Sequence, residues 1–172
     1  MAGGSLVTKL AKGFGEFQRA GLIDETPPRL YGAQADGCAP IVRLVERGDD
    51  TLVPERPNTI ARSLAIGAPA DGVSARRAVV GSGGWARAVS DTALISGIRL
   101  LAETTGIFAE TAGGVTVAAA VSLTASGELK ASDEVVLCIT GNGLKTVDAL
   151  DGALEPAPLI DPRLREVAAL LA

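Results

Sequence analysis

Asp133 to Thr146 reads D-E-V-V-L-C-I-T-G-N-G-L-K-T, and the fold turns on how this stretch is taken. The β-branched apolar run Val135 to Ile139 predicts a buried strand. Thr140 ends it on a hydroxyl, and Gly141, Asn142 and Gly143 turn the chain sharply. An open α/β sheet presents a small ligand group at a strand's carboxyl end in this way. An ordinary strand followed by a tight turn would use the same residues, so the surrounding chain has to decide. One alternative fails on spacing. A nucleotide P-loop needs four residues between its glycines and a lysine directly after the second, whereas Leu144 separates Gly143 from Lys145.

Upstream, Phe108 to Gly114 leads into an alanine- and valine-rich segment, Val115 to Ala125, predicted as a central helix because it is apolar almost all round. Glu110 opens it, either complementing the helix dipole or facing a ligand. Before it, Ser90 or Asp91 caps a helix that buries Leu94, Ile98 and Leu101 and ends at Gly106. Trp85 to Val89 reads as a strand. The preceding cluster Gly81-Ser82-Gly83-Gly84 is not a dinucleotide fingerprint, which requires strand, glycines and helix in that order.

Further towards the amino terminus, Asp71 is placed to cap a helix through about Val80, and Thr59 to Ala65 forms a short helix after the loop Gly48 to Pro57. Cys38 to Val45 looks helical, and Arg29 to Gln34 reads as a short strand. Ser5 is positioned to cap a first helix carrying Leu6, Leu10, Phe14 and Phe17 and stopped by Gly21. Gly3 and Gly4 directly precede that helix, where backbone N–H groups favour an anion, most often phosphate; a flexible tail is the bland alternative. Downstream, Pro162 to Leu171 predicts a last amphipathic helix with Leu164, Val167, Ala168 and Leu171 on one side. The alternation of helices and strands implies an α/β fold: an open, mainly parallel sheet in three layers, flanked by helices.

Composition narrows the chemistry. The 172 residues are 47% hydrophobic, carry a formal charge of −4 and contain no histidine. The absence of histidine excludes Ser-His-Asp and Cys-His hydrolysis and nearly all zinc chemistry, leaving carboxylates, hydroxyls, lysines or a cofactor. No basic stripe is present and aromatics make up 3%, so nucleic acid is not an expected partner. No apolar run approaches the roughly 20 residues of a membrane helix, and Met1 to Ser5 lacks the features of a signal peptide. A cytoplasmic protein is expected. Cys38 and Cys138, in apolar surroundings, are expected to be buried reduced thiols, not a disulfide or metal site.

Taken in order, several segments resemble the carboxyl-terminal half of threonine synthases, pyridoxal-phosphate enzymes of the tryptophan-synthase-β-like (fold type II) superfamily. They are Gly3-Gly4-Ser5-Leu6 with Lys12-Gly13-Phe14; Gly32-Ala33-Gln34-Ala35 and Gly37-Cys38-Ala39-Pro40-Ile41; Thr59 to Gly67 with Pro69-Ala70-Asp71-Gly72; Val89-Ser90-Asp91; Gly106 to Gly114; and Thr140 to Lys145. Their joint order and spacing carry the resemblance.

By that resemblance, Gly3, Gly4 and Ser5 match the end of the loop that holds the phosphate of pyridoxal 5'-phosphate. Thr140 matches the hydroxyl residue facing its pyridine nitrogen, and Glu110 is a candidate neighbour of the ring. A neutral hydroxyl does not hold that nitrogen protonated, which suits elimination and replacement chemistry. The implied reaction converts O-phosphohomoserine and water to threonine and phosphate; threonine dehydratase and cysteine synthase are alternatives, though they usually carry serine or cysteine where Thr140 stands. The family's covalent lysine lies in the amino-terminal half, and its motif is not among Lys9, Lys12, Lys130 and Lys145. Residues 1–172 are therefore expected to form a single partial domain, inactive alone, exposing apolar surface. The expected partners are that missing half or a full-length enzyme, a small amino-acid substrate, and a second copy in a homodimer. A catalytically silent remnant acting as an interaction or dimerisation partner is the alternative from another class.

Overall fold

Two parallel strands, β1 (Gly32–Ala35) and β2 (Ala86–Val89), pair in register from Gly32 opposite Ala86 to Ala35 opposite Val89. This is the centre of a computed structural model that describes residues 1–23, 26–153 and 158–171. The strand alternation sorts the two faces. Ala33, Ala35 and Val89 join a cluster with Leu94, Ile98, Val115, Ala118 and Ala119, contributed by α4 (Asp91–Thr105) and α5 (Thr111–Ala125). Ala86 and Ala88 face the opposite cluster of Val7, Ile41, Val42, Val45, Ala75 and Val79. That layer holds α1 (Ser5–Arg19), α2 (Pro40–Arg47) and α3 (Gly72–Gly81). Helices thus cover both faces of a parallel sheet, as the sequence pattern requires.

The polar side chain buried between the strands and the first helical layer is satisfied. Gln34 is fully buried, and its Oε1 accepts from the N–H groups of Ile41 (2.9 Å) and Val42 (3.0 Å) in the first turn of α2. A strand side chain thereby supplies the cap that Ala39, at the N-cap position, cannot.

Several expectations shift. The first strand starts at Gly32, not Arg29, because pairing and not β propensity sets its ends. Ser5 is the first helical residue and Gly4 is the N-cap; the Ser5 hydroxyl caps nothing and donates to the Asp71 carboxylate. Asp71 is the N-cap of α3 but makes no side-chain cap bond. The helix expected over Thr59 to Ala65 contracts to a 3-10 turn at Arg62–Leu64. Thr59 instead donates to Asp91 Oδ1 (2.5 Å), and Asp91 Oδ2 accepts from the Ile60 N–H (3.0 Å), which ties this loop to the start of α4. The central helix begins four residues early, at Thr111, since packing overrides the low helix propensity of Gly113 and Gly114.

Two differences are larger. Val135 to Ile139 forms no ladder among the described residues, and its one backbone bond is local, from Ile139 N–H to the Leu137 carbonyl. Val136 is 83% exposed. β-branched residues favour strands because they fit a pleated, half-buried surface; here Ile139 finds one against Leu101, Ala109 and Val117, while Val135, Val136 and Leu137 stay exposed. Cys138 is exposed with them, whereas Cys38 is buried. Burial, then the Glu55 carboxylate, pushes the Cys38 thiol above its ordinary value. The last helix, α6 (Leu164–Leu170), buries none of its residues.

Candidate functional site

The carboxyl ends of β1 and β2 lead into Asp36 and Ser90, and the segment 135–139 leads into Thr140. Around Thr140 a second set of contacts replaces the missing ladder. Phe108 to Thr111 runs antiparallel to Gly141 to Gly143, with Ala109 bridged to Asn142. The Glu110 N–H donates to the Gly141 carbonyl (3.0 Å) and the Gly143 N–H to the Phe108 carbonyl (3.0 Å). The Thr111 N–H, at the first turn of α5, donates to Thr146 Oγ1 (3.2 Å). Asn142 Oδ1 accepts from the Leu144 N–H (2.9 Å), closing the turn.

Glu110 stands at the N-cap of α5 without making a side-chain cap bond. Its side chain is 7% exposed, and Oε1 accepts from Lys145 Nζ at 3.2 Å. A carboxylate buried to that degree requires a cation or several donors. Gly141 packs directly on it: a β-carbon there would sit 1.7 Å from Glu110 Oε1. The hydroxyl of Thr111 is buried with no hydrogen-bond partner among the described residues. Sequence reading found Glu110 and Gly141 but missed the pair with Lys145 and the Thr146 bond, because both join residues 35 apart.

The second candidate region is the start of α1. Gly4 has φ +91°, and a β-carbon on it would lie 2.9 Å from the Asp71 carbonyl oxygen and from Ala75 Cβ. Glycine is required there both for its backbone and for its space. The Gly3 carbonyl accepts from the Asp71 N–H (3.1 Å). The Met1 amino group donates to the Ala33 carbonyl, so the segment is laid along β1; burial pushes that amino group down to about 6. The first N–H groups of α1 have no partner within the helix, and a left-handed glycine ahead of them makes a concavity suited to an anion. Ser5 contributes only its backbone to that concavity, because its hydroxyl is engaged by Asp71. No hydrogen bond or ion pair among the described residues joins the Gly3–Ser5 region to the Thr140 region. Thr140 itself is exposed.

The fold, parallel strands between helical layers, is similar to that of a solved structure of maize serine racemase. The TM-score is 0.64 at 21% identity, over 90% of this chain and 46% of that one. The architecture is that of a fold type II pyridoxal-phosphate enzyme. Residues 1–141 match the family model described as pyridoxal-phosphate dependent enzyme, and the chain belongs to that family. Among its relatives is the threonine synthase of Methanocaldococcus jannaschii, 37% identical over 150 residues, 87% of this chain and 37% of that protein. Those of Methanosarcina acetivorans and Mycobacterium tuberculosis are 34% and 36% identical over 160 and 156 residues, covering 92% and 91% of this chain. The chain spans 37 to 40% of the length of these three relatives. No helix among the described residues is long and apolar enough to cross a membrane.

Proposed function

We propose that this chain is the carboxyl-terminal portion of a threonine synthase-like lyase that converts O-phosphohomoserine and water to threonine and phosphate. The identity to threonine synthases, spread over 87% of the chain in the Methanocaldococcus jannaschii protein, carries this reading. Bound pyridoxal 5'-phosphate supplies an aldehyde that captures the substrate's amine and a ring that accepts electron density. The backbone N–H groups at Gly3, Gly4 and Ser5 are suited to hold the cofactor phosphate against the α1 dipole. The Thr140 hydroxyl would donate to the pyridine nitrogen and, being neutral, would leave it unprotonated. Glu110, a candidate neighbour of the ring, is paired with Lys145 and would keep the turn after Thr140 in place.

The covalent lysine of the family has no counterpart in these residues, so turnover requires the complementary amino-terminal portion, in the same chain or in a separate one. Exposure of Val136 and of α6 supports such a partner: Val136 is 83%, Leu164 86% and Leu170 52% exposed. A cytoplasmic location accompanies this reading. The test is to refold the chain with the amino-terminal portion of the Methanocaldococcus jannaschii enzyme and measure phosphate release from O-phosphohomoserine. Turnover is expected; none, under conditions where the intact relative works, sinks the proposal. The same apolar exposure favours a second reading, a silent partner that dimerises with a full-length enzyme. Size-exclusion of the mixture decides it: an unchanged enzyme size and activity rules it out.

A further inference from the structure

We infer that Lys145 is the positioning residue for Thr140: through Glu110 it fastens the 140–146 loop to the amino-terminal end of α5. This deepens the threonine synthase-like reading, since it rests on Thr140 facing the cofactor. The loop lacks a hydrogen-bonded support on its strand side. The run before it, Val135 to Ile139, has no ladder among the described residues, so the sheet does not fix the height or direction of Thr140. Besides the packing of Ile139 on Leu101, Ala109 and Val117, the polar attachments beyond the turn among the described residues are the two backbone bonds linking Glu110 to Gly141 and Gly143 to Phe108, the bond from Thr111 to Thr146, and the Lys145 ion pair.

The ion pair is unequal in a way that gives Lys145 leverage. Glu110 is 7% exposed and Lys145 62% exposed. The lysine reaches from solvent over the loop to a carboxylate that Gly141 covers on another side. If Lys145 is removed, the carboxylate is left buried without a cation. Gly141 lies directly against Oε1, Cδ and Cγ of that side chain, so a rearrangement of the carboxylate is passed to Gly141 and to Thr140, its covalent neighbour. A carboxylate capping α5 with its own side chain would not have this dependence, but Glu110 makes no such bond.

The test is hydrogen–deuterium exchange on the full chain without cofactor, comparing wild type, Lys145→Met and Lys145→Arg. In Lys145→Met the amides of Glu110 and Gly143 are expected to exchange about tenfold faster, between the effects of exposed and buried pairs, and to return within about twofold of wild type in Lys145→Arg. Amides of the β1–β2 ladder stay at the wild-type rate. Unchanged exchange at Glu110 and Gly143 in Lys145→Met overturns the inference, as does equal acceleration across the ladder. Should Lys145→Met not fold, Lys145→Gln replaces it: selective acceleration of the two amides supports the latch, and none overturns it. In the reassembled enzyme, Lys145→Met lowers kcat with KM unchanged and Lys145→Arg restores it. The exchange experiment involves no cofactor and no second portion. A failed latch and a failed functional reading are therefore separate results.

Discussion

Replacing Gly141 by alanine places a methyl group where the Glu110 carboxylate now lies. The new carbon would be 1.7 Å from Oε1, 2.3 Å from Cδ and 2.8 Å from Cγ, so three atoms of one side chain must move. Gly141 is not among the glycines with positive φ, so the backbone tolerates alanine and the conflict is steric alone. Glutamate is flexible, but here its side chain is nearly enclosed and paired with Lys145. Moving it forfeits an ion pair with one exposed member, about 1 kcal/mol at most, and adds the overpacking cost of a tight site, about 1–3 kcal/mol. Gly141→Ala is therefore expected to destabilise the chain by about 2 kcal/mol in urea unfolding. In a Glu110→Ala background all three clashing atoms are gone. The same substitution should then be neutral or stabilising by about 0.5 kcal/mol, because alanine restricts the unfolded chain. The coupling in this double-mutant cycle is thus expected at about 2 kcal/mol. An equal cost in both backgrounds would show that Gly141 and Glu110 do not meet, and the geometry of the candidate site would be wrong.

Gln34→Leu leaves the N–H groups of Ile41 and Val42 buried without acceptors, at about 1–3 kcal/mol each, and should lower the thermal midpoint by roughly 5–15 °C in calorimetry; a drop under about 2 °C would remove Gln34 as the cap of α2. Asp50 is held below the usual carboxylate range first by its hydrogen bond to Arg77 and then by the charges of Arg77 and Arg76. A carboxylate depressed on folding contributes stability above its unfolded value that is lost as pH falls through its folded value, so Asp50→Asn should flatten the acid limb of a stability profile below about pH 4. Asp71→Asn keeps a partner for Ser5 while removing a negative charge beside Gly3 and Gly4. It is expected to tighten inorganic phosphate about two- to fivefold, read at the Gly4 amide by NMR titration; unchanged binding would argue against an anion at that helix start. Val136→Lys should change the stability of the chain by less than about 0.5 kcal/mol, as the side chain is already in water, yet abolish reassembly with the amino-terminal portion in the phosphate-release assay.

What the sequence made legible follows from the range of each interaction. α4 was readable to its caps, because Ser90, Leu94, Ile98, Leu101 and Gly106 are a local pattern, and Ser90 does accept from the Ala93 N–H at 3.1 Å. Trp85 to Val89 and Arg29 to Gln34 were readable as strands but not in their ends, which depend on the register between two segments more than 50 residues apart. Ser5 and Asp71 show how local rules compete. Each is a good N-cap by itself, but their side chains meet across 66 residues and neither caps its own helix. In the candidate site, Glu110, Gly141 and Thr140 could be singled out by type and position, whereas the contact with Lys145 and the orphaned Thr111 hydroxyl are products of tertiary placement.

The segment 135–139 joins these threads, because the same five residues read as a buried strand in the sequence and stand unladdered in the structure. Both follow from one physical fact: a strand's hydrogen bonds belong to its neighbour as much as to itself. The turn that follows it keeps its form without that neighbour, since its restraints come from the other side, through Phe108, Glu110 and Thr111 at the head of α5. A site assembled in this way has two independent supports. The loop is set by α5 and Lys145, and the run leading into it is free to be set by whatever strand pairs with Val135 to Ile139. If a complementary strand docks there, it fixes Thr140 from the second side. Reassembly should then slow exchange at Val136 and Cys138 while leaving Gly143 little changed; slowing at Gly143 alone would mean that the partner engages the loop and not the strand.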